Sequence, residues 1–282
     1  MTKQLLIYDN VVPVNRQAHR DLAVQRTRSF SFARDINTVP IVDVEFARAA
    51  LEMPIVFART ETGLVALALL GASEGRNAFL DGDDAWTGRY VPAFLRRYPF
   101  VFAADSANDR MTLCVDESFE GLNTENKGER LFDSEGEQTA YLQQVLRFME
   151  EYQATFNRTQ AVCDRLQEAG LLEEARIDYR LPDGRSGGVT GFLRVSQEKL
   201  RALPDEDVAR MFRAGDLDLV QMHLLSLHYA EPLVQRSLQT GDGGAEAAVP
   251  EAGARTPRPP TTWPSRRPGC TEVRSRSARG VE

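Results

Sequence analysis

The chain has 282 residues, of which 42% are hydrophobic and 27% charged, and this is ordinary for a globular protein with a core of useful size. Its formal net charge of -7 argues against a nucleic-acid binder, which usually presents a basic face. The apolar run at the start of the chain is too short for a signal peptide, and no stretch approaches the ~20 apolar residues that span a bilayer, so we expect a cytoplasmic protein without a transmembrane segment.

Three cysteines, Cys114, Cys163 and Cys270, are far apart in the sequence. Because no C-x-x-C pair suggests a zinc site or a redox motif, we expect neither a metal nor a cofactor. Cys114 and Cys163 are predicted to be small buried hydrophobic residues, as is usual for free thiols in a reducing compartment.

The first part of the chain predicts short strands. Residues 5–8 and 11–14 are expected to form two of them, and residues 29–32 alternate between polar and apolar as a half-buried strand does. Residues 39–44 form another predicted strand, and Pro40 within it favours an edge position because proline lacks a backbone donor.

A short helix is predicted over Glu45–Met53 and ends before Pro54. Residues 54–59 and 64–71 then read as the two arms of a hairpin around a turn that contains glycine. The second arm, LVALALLG, is apolar on both faces, which predicts a strand in the middle of a sheet.

The stretch Trp86–Phe102, WTGRYVPAFLRRYPFVF, is the part of the chain richest in aromatic, proline and arginine residues. Pro92 and Pro99 each remove a backbone donor, so no long helix can pass through it. One helical turn over residues 93–97 is predicted, followed by a strand.

Two more hairpins are predicted further along the chain. Residues 99–104 and 111–116 form the first, and residues 176–181 and 189–195 form the second. The turn of the second hairpin is Pro-Asp-Gly at residues 182–184, where proline presets φ and glycine accepts a positive φ.

Between these hairpins the sequence predicts its longest helix. Ser134 and Glu137 match a capping box at its start, and apolar residues recur at helical spacing from Leu142 to Leu166. Gly170 is the predicted stop.

Shorter helices follow: one over residues 197–202, one that starts at Pro204, and one over Leu217–Leu238 that Pro232 should interrupt near residue 231. Hairpins interleaved with helices predict an α+β fold, with an antiparallel sheet of hairpins and one long and several short helices packed on it.

Residues 240–282 have a different composition, rich in Gly, Ala, Pro, Ser and Arg. They cannot bury enough apolar surface to offset chain entropy, so we predict a disordered tail after a domain formed by residues 1–239. Truncation after Thr240 should therefore leave the melting temperature unchanged within error in a thermal unfolding experiment. A fall of several degrees would show that the tail packs on the domain.

The candidate site is an aromatic and arginine cluster, and its predicted members are Trp86, Tyr90, Arg96, Arg97, Tyr98, Glu45 and His223. Guanidinium groups stack on aromatic rings or bind carboxylates. The cluster is open to two interpretations: a buried aromatic group with arginines at its rim, or a surface for an anionic ligand or a protein partner.

Within the cluster, Arg96 and Arg97 are adjacent and must point in different directions. We expect one of them to be structural and to pair with a buried carboxylate such as Glu45. The other is expected to face an open groove.

Two further motifs suggest chemistry but favour a structural interpretation. His223 and Ser226 share a helix face, yet a serine within an apolar helix usually bonds the carbonyl one turn back, and a buried histidine satisfied by a neighbour is the expected arrangement. The acidic run at residues 81–84 begins like a calcium loop but lacks its later ligands, which favours a polar turn.

The motif YVPAFLRRYPF at residues 90–100 resembles the signature of the SapC family of bacterial proteins. Other matches follow in the same order, namely VPIVDVEFARAA near Val39, PIVFA at Pro54, LFDSEGEQT at Leu131, GFLRVSQEKL at Gly191 and LDLVQMHLLSL at Leu217. The resemblance covers most of residues 8–238.

The family takes its name from a gene associated with a surface layer, and the resemblance supplies no catalytic residues. It implies a non-catalytic binding or assembly protein whose partner is a protein, a peptide or a small anionic ligand, with cell-surface association implied by the family name alone. The alternative is an enzyme, or an enzyme's partner, that acts on a peptide or small anionic ligand at the cluster, with His223 or Glu45 as the acid–base group.

Overall fold

The computed structural model describes residues 7–60, 63–105, 110–180 and 186–240, together with two short strands further on. The strands are β1 Val11–Pro13, β2 Ala23–Val24, β3 Thr38–Pro40, β4 Ile55–Thr60, β5 Gly63–Leu69, β6 Phe100–Asp105, β7 Arg110–Asp116, β8 Leu122–Asn123, β9 Glu129–Arg130, β10 Leu172–Arg180, β11 Ser186–Val195, β12 Ala247–Ala248 and β13 Glu272–Val273. The α-helices are α1 Phe46–Ala49, α2 Ala93–Arg96, α3 Ala140–Glu168, α4 Gln197–Arg201, α5 Asp205–Ala214, α6 Asp216–Ser226 and α7 Ala230–Gln239.

The strands pair antiparallel except for the short β12, which runs parallel to β11. The predicted α+β fold is therefore confirmed. The chain forms two compact units, the first made of residues 1–27, 97–151 and 254–282 and the second of residues 28–96 and 152–253. The prediction of a disordered tail falls mostly on residues outside the described ranges and stays a prediction.

The first unit is built on the predicted hairpin β6–β7, in which Phe100 lies opposite Val115. Strands β1 and β13 pair along the other edge of β7, and β8, β2 and β9 form a separate small sheet. The start of α3 contributes to the core of this unit. The buried core residues are Val14, Val24, Phe100, Phe102, Leu113, Val115, Leu131, Phe132, Leu142, Leu146 and Met149.

The second unit has a sheet in the order β10-β11-β4-β5-β3. Strand β5 lies inside the sheet and is buried on both faces, as its uninterrupted apolar sequence predicts. Strand β3 lies at the edge, where Pro40 costs no ladder hydrogen bond. Both predicted positions in the sheet are confirmed, but the strand predicted over residues 39–44 ends at Pro40, since Asp43–Glu45 forms a 3-10 turn. The largest fully buried side chains of this unit include Phe46, Phe57, Phe79, Ile41, Met53 and Ile55.

Helix α3 begins later than its sequence predicts. The predicted start at Ser134 is wrong because the Asp133 carboxylate accepts two backbone N–H groups, at 2.9 and 2.8 Å, and closes a turn there. The Thr139 hydroxyl accepts the N–H of Leu142 at 3.3 Å and caps the helix instead. The predicted stop is confirmed, since Gly170 has φ +65 just after the last turn.

Other predicted elements also differ from the structure. Residues 29–32 do not form a strand, because Ser31–Ala33 is a 3-10 turn and Ser29 makes one isolated bridge to Ala85. The last predicted helix breaks at the 3-10 turn Leu227–Tyr229, and Pro232 falls in the first turn of α7, where a missing N–H costs nothing. The predicted turn at residues 182–184 and most of the predicted strand at 5–8 lie outside the described residues.

The described part of the chain contains no helix that combines the length and apolar composition needed to cross a bilayer. Cys114 and Cys163 are free and buried, as predicted. Burial raises the pKa of the Cys163 thiol to about 12, so this side chain packs as a hydrophobic residue at neutral pH.

Candidate functional site

The centre of the candidate site is the buried carboxylate of Glu45 in the second unit. Its side chain is 2% exposed. It accepts the N–H of Ala93 at 2.6 Å, the N–H of Val42 at 3.2 Å and a hydrogen bond from the Tyr90 hydroxyl. The carboxylate therefore joins two segments that are far apart in the sequence, residues 42–45 and residues 90–93.

Local chemistry places these donors. Residues Asp43–Glu45 form a 3-10 turn, and Glu45 folds back to the N–H of Val42 just before it. Pro92 fixes the entry into α2, so the N–H of Ala93 has no partner within that one-turn helix. An acidic side chain is the natural acceptor for such an unsatisfied N–H group.

Tyr90 connects the buried Glu45 carboxylate to the protein surface. Burial, together with the hydrogen bond to Glu45, raises the pKa of the Tyr90 hydroxyl to about 12. The guanidinium carbons of Arg48 and Arg96 lie 5.9 and 5.8 Å from the centroid of the Tyr90 ring, both within cation–π range. The half-buried ring of Tyr90 thus makes cation–π contacts with two guanidinium groups.

Arg96 is held in place but remains half exposed. Its Nε donates to the carbonyl of Val91 at 3.0 Å and its Nη2 donates to the Tyr90 hydroxyl at 3.3 Å, while Nη2 is 3.9 Å from Glu45. The side chain is 46% exposed. The predicted pairing of one arginine with the buried Glu45 is made by Arg96, although this ion pair is long and the arginine is half exposed. Backbone N–H groups and a phenol supply the hydrogen bonds of the carboxylate.

Two residues that the sequence analysis did not single out adjoin Arg48. Val44 and Leu51 are 65% and 61% exposed. They lie four residues before and three residues after Arg48, so the three side chains share one outer face of this helical segment. The sequence could have indicated this exposed face, because the helical spacing of Phe46, Ala49, Ala50 and Met53 already accounts for the inward face. We call Val44, Arg48, Leu51, Tyr90 and Arg96 the Tyr90 surface.

Trp86 belongs to the same unit and is half-buried. Its ring stacks on Phe79 with centroids 5.1 Å apart and contacts Phe30 at 5.8 Å. Its indole nitrogen is buried and has no hydrogen-bond partner among the described residues. Nearby, the Glu52 carboxylate accepts the N–H groups of residues 89 and 90 at 2.9 and 2.6 Å, which fixes the backbone leading into the Tyr90 surface.

Arg97 and Tyr98 belong to the first unit. The guanidinium carbon of Arg97 lies 5.7 Å from the ring centroid of Tyr8, and Tyr98 packs on Tyr8 at 5.4 Å and on Phe119 at 5.3 Å. Burial is the main cause of the raised pKa of the Tyr98 hydroxyl. The predicted single cluster is therefore divided between the two units, because the chain passes from the second to the first after Arg96.

His223 lies inside the second unit with no exposed surface. Its Nδ1–H donates to the carbonyl of Ile55 at 2.8 Å, and its Nε2 accepts the N–H of Val195 at 3.0 Å. Ser226 accepts the N–H of Ile55 at 2.8 Å and donates to the carbonyl of His223 at 2.6 Å. Both predicted structural roles are confirmed, and His223 is not a member of the Tyr90 surface.

The acidic run at residues 81–84 is a polar turn, as predicted. Asp81 Oδ1 accepts the N–H groups of Asp83 and Ala85 at 3.0 and 2.9 Å, and Asp84 pairs with Arg34. Among the residues that the structure describes, no group of three or more His, Cys, Asp or Glu side chains could hold a metal ion.

Comparisons with known proteins give one match. A family model described as SapC matches residues 14–233, which is most of the chain and includes residues of both units. No curated protein matches this chain, and no solved structure matches it.

Proposed function

The chain belongs to the SapC family, and from that premise we propose that it is a non-catalytic binding or assembly protein whose Tyr90 surface binds an acidic segment of another protein. The observation that carries the proposal is the pair of exposed guanidiniums placed on one ring, at 5.8 and 5.9 Å. A binding role of this kind fits a protein of surface-layer assembly, the setting that the family name suggests.

The two arginines are suited to recognising carboxylates. A guanidinium presents a planar fork of donors that matches a carboxylate, and a charge-assisted pair of this kind is stronger than a neutral hydrogen bond. Arg96 is oriented before any partner arrives because the carbonyl of Val91 and the hydroxyl of Tyr90 fix its head group. Such preorganisation lowers the entropy that binding must overcome.

The apolar part of the surface favours a protein segment over a simple anion. Val44 and Leu51 expose their side chains on either side of Arg48. Arginine and tyrosine are enriched at the energetic centres of protein interfaces, and a neighbouring apolar contact excludes water from the charged pair. A partner segment that carries both acidic and large apolar residues would use all five side chains.

The pKa values of two side chains, Tyr90 and the candidate acid–base group His223, support binding over catalysis. The hydroxyl of Tyr90 has its pKa raised to about 12, and burial lowers the pKa of His223 to about 4. A general acid or base works best when its pKa lies near the operating pH. We also propose that residues 1–239 act as one module, since the family match runs through both units.

Selection from a random peptide-display library against the full-length protein tests this proposal. The enriched peptides are expected to combine Asp or Glu with large apolar residues. Their synthetic forms should bind at least about tenfold more weakly to Arg48→Gln and to Arg96→Gln, because each variant removes one charge-assisted contact. Raising NaCl should also weaken binding, since the surface is exposed to screening ions.

The matched control is Arg201→Gln, an exposed arginine on α4. It should bind the selected peptides like the wild type, and Arg96→Gln should lower the free energy of unfolding by no more than about 1 kcal/mol. Enrichment of basic or unpatterned peptides, or equal binding by all three variants, would contradict the proposal. Full displacement of the peptides by millimolar acetate would point to a small anion as the ligand instead.

A further inference from the structure

A polar groove of about 1160 Å³ lies in the second unit, beside the end of α7. Its walls include residues 74–78, residues 80–82 and the last residues of α7. This volume is slightly above the roughly 300–1,000 Å³ that is typical of sites that hold small molecules. None of the residues of the Tyr90 surface lines the groove, so it is a separate site.

Arg236 gives the groove a fixed positive charge. Its guanidinium carbon lies 4.4 Å from the ring centroid of Phe79, and its Nη1 donates to the hydroxyl of Thr87 at 2.7 Å. Phe79 is itself buried and stacked on Trp86. The guanidinium therefore has little freedom to move out of the groove wall.

The charge of Arg236 lacks a counterion in the part of the chain that the structure describes. Among the described residues no carboxylate forms an ion pair with Arg236, whereas Arg34, on another wall, is bound through two nitrogens by Asp84. A half-buried cation without a counterion is costly, and an anion entering the groove would lower that cost.

Apart from Arg76 and the Arg34–Asp84 ion pair, the charged residues of the remaining walls are acidic. Asp35, Glu74 and Asp81 are exposed acidic residues that line the same groove. They would repel a ligand with several negative charges, such as a phosphate ester, and attract an ammonium group. A ligand with one carboxylate and one ammonium group could pair with Arg236 and with the acidic residues at the same time.

We propose that this groove binds a small zwitterion, an amino acid or a short peptide, whose carboxylate pairs with Arg236 and whose ammonium group faces Asp35 and Glu74. The stack of Arg236, Phe79 and Trp86 makes the site observable. The chain has two tryptophans, Trp86 and Trp263, so Trp263→Phe leaves Trp86 as the single tryptophan.

The experiment screens the twenty amino acids and a complete dipeptide library, up to about 10 mM, by Trp86 fluorescence in full-length Trp263→Phe protein. At least one probe should bind saturably. Its carboxamide and its N-acetyl form should each bind at least about tenfold more weakly, because each loses one ionic contact. This comparison needs no further variant and so does not depend on how a substitution folds.

The second part of the experiment uses the variant Arg236→Gln. This variant should bind the free-acid probe at least about tenfold more weakly than the wild type and should no longer prefer the acid over its carboxamide. Arg201→Gln should keep both the affinity and the preference of the wild type. Three results would overturn the inference: no saturable probe, inorganic phosphate binding as tightly as the best probe, or an acid preference that survives Arg236→Gln in folded protein.

Discussion

Replacing Glu45 with alanine is expected to lower the free energy of unfolding by about 3–5 kcal/mol, because it removes the acceptor that several buried donors share. The N–H groups of Val42 and Ala93 and the hydroxyl of Tyr90 all point at this carboxylate. Without it the two N–H groups are left unpaired in a site that water does not reach, since both of their hydrogen bonds to Glu45 are buried. The truncated side chain also leaves a cavity.

The measurement is urea denaturation followed by Trp86 fluorescence in the Trp263→Phe background, which reports on the unit that contains Glu45. Tyr90→Phe removes one of the donors and should cost about 1–2 kcal/mol. Glu198→Ala, at an exposed position on α4, should change stability by less than about 0.5 kcal/mol. If Glu45→Ala were as mild as Glu198→Ala, the carboxylate would not hold the site together.

Acidification is expected to cost the protein about 3 kcal/mol of stability through His223 alone. Burial is the main cause of its lowered pKa, which falls from 6.5 to about 4 in the folded chain. The unfolded chain therefore binds this proton more readily than the folded chain does. The contribution of His223 is complete above pH 6.5 and is lost progressively as the pH falls toward 4.

The geometry gives the reason for this sign. The imidazole donates through Nδ1 to the carbonyl of Ile55 and accepts at Nε2 from the N–H of Val195. A second proton on Nε2 would face the N–H of Val195, so the charged ring loses a hydrogen bond and gains no counterion. Protonation thus requires the link between α6 and strands β4 and β11 to open.

The test compares free energies of unfolding at pH 7 and pH 4 in the wild type, in His223→Gln and in His228→Gln. His228 is an exposed histidine on the 3-10 turn that follows α6. The wild type and His228→Gln should show the same loss between the two pH values, and His223→Gln should lose about 3 kcal/mol less. An equal loss in all three proteins would mean that other groups cause the acid sensitivity.

Much of the fold could be predicted because it depends on neighbours in the chain. The strands of the three hairpins, the edge position of Pro40 and the end of α3 at Gly170 each follow from the periodicity or backbone chemistry of a few consecutive residues. The roles of His223 and Ser226 were also predictable, since an apolar helix leaves a polar side chain few choices besides the backbone.

The errors arose where local signals compete. Ser134 and Glu137 match a capping box, but the carboxylate of Asp133, one residue earlier, accepts the N–H of Glu137 that this cap would need. The alternating residues 29–32 suit a strand, but a strand needs a partner along its length, and Ser29 finds only one bridge. Local propensity is a weak prior in such cases, and tertiary contacts decide.

By itself, the sequence determined the family of this protein, its α+β class, its hairpins and the residue types of its candidate site, because these depend on composition, periodicity and short motifs. Only the tertiary structure decided how the site is assembled. It set Glu45 against residues 90 and 93, placed Arg96 and Arg97 in different units, and put Arg236 on the ring of Phe79. These contacts join residues tens to more than a hundred positions apart, and no local pattern encodes which distant donor will reach a buried carboxylate.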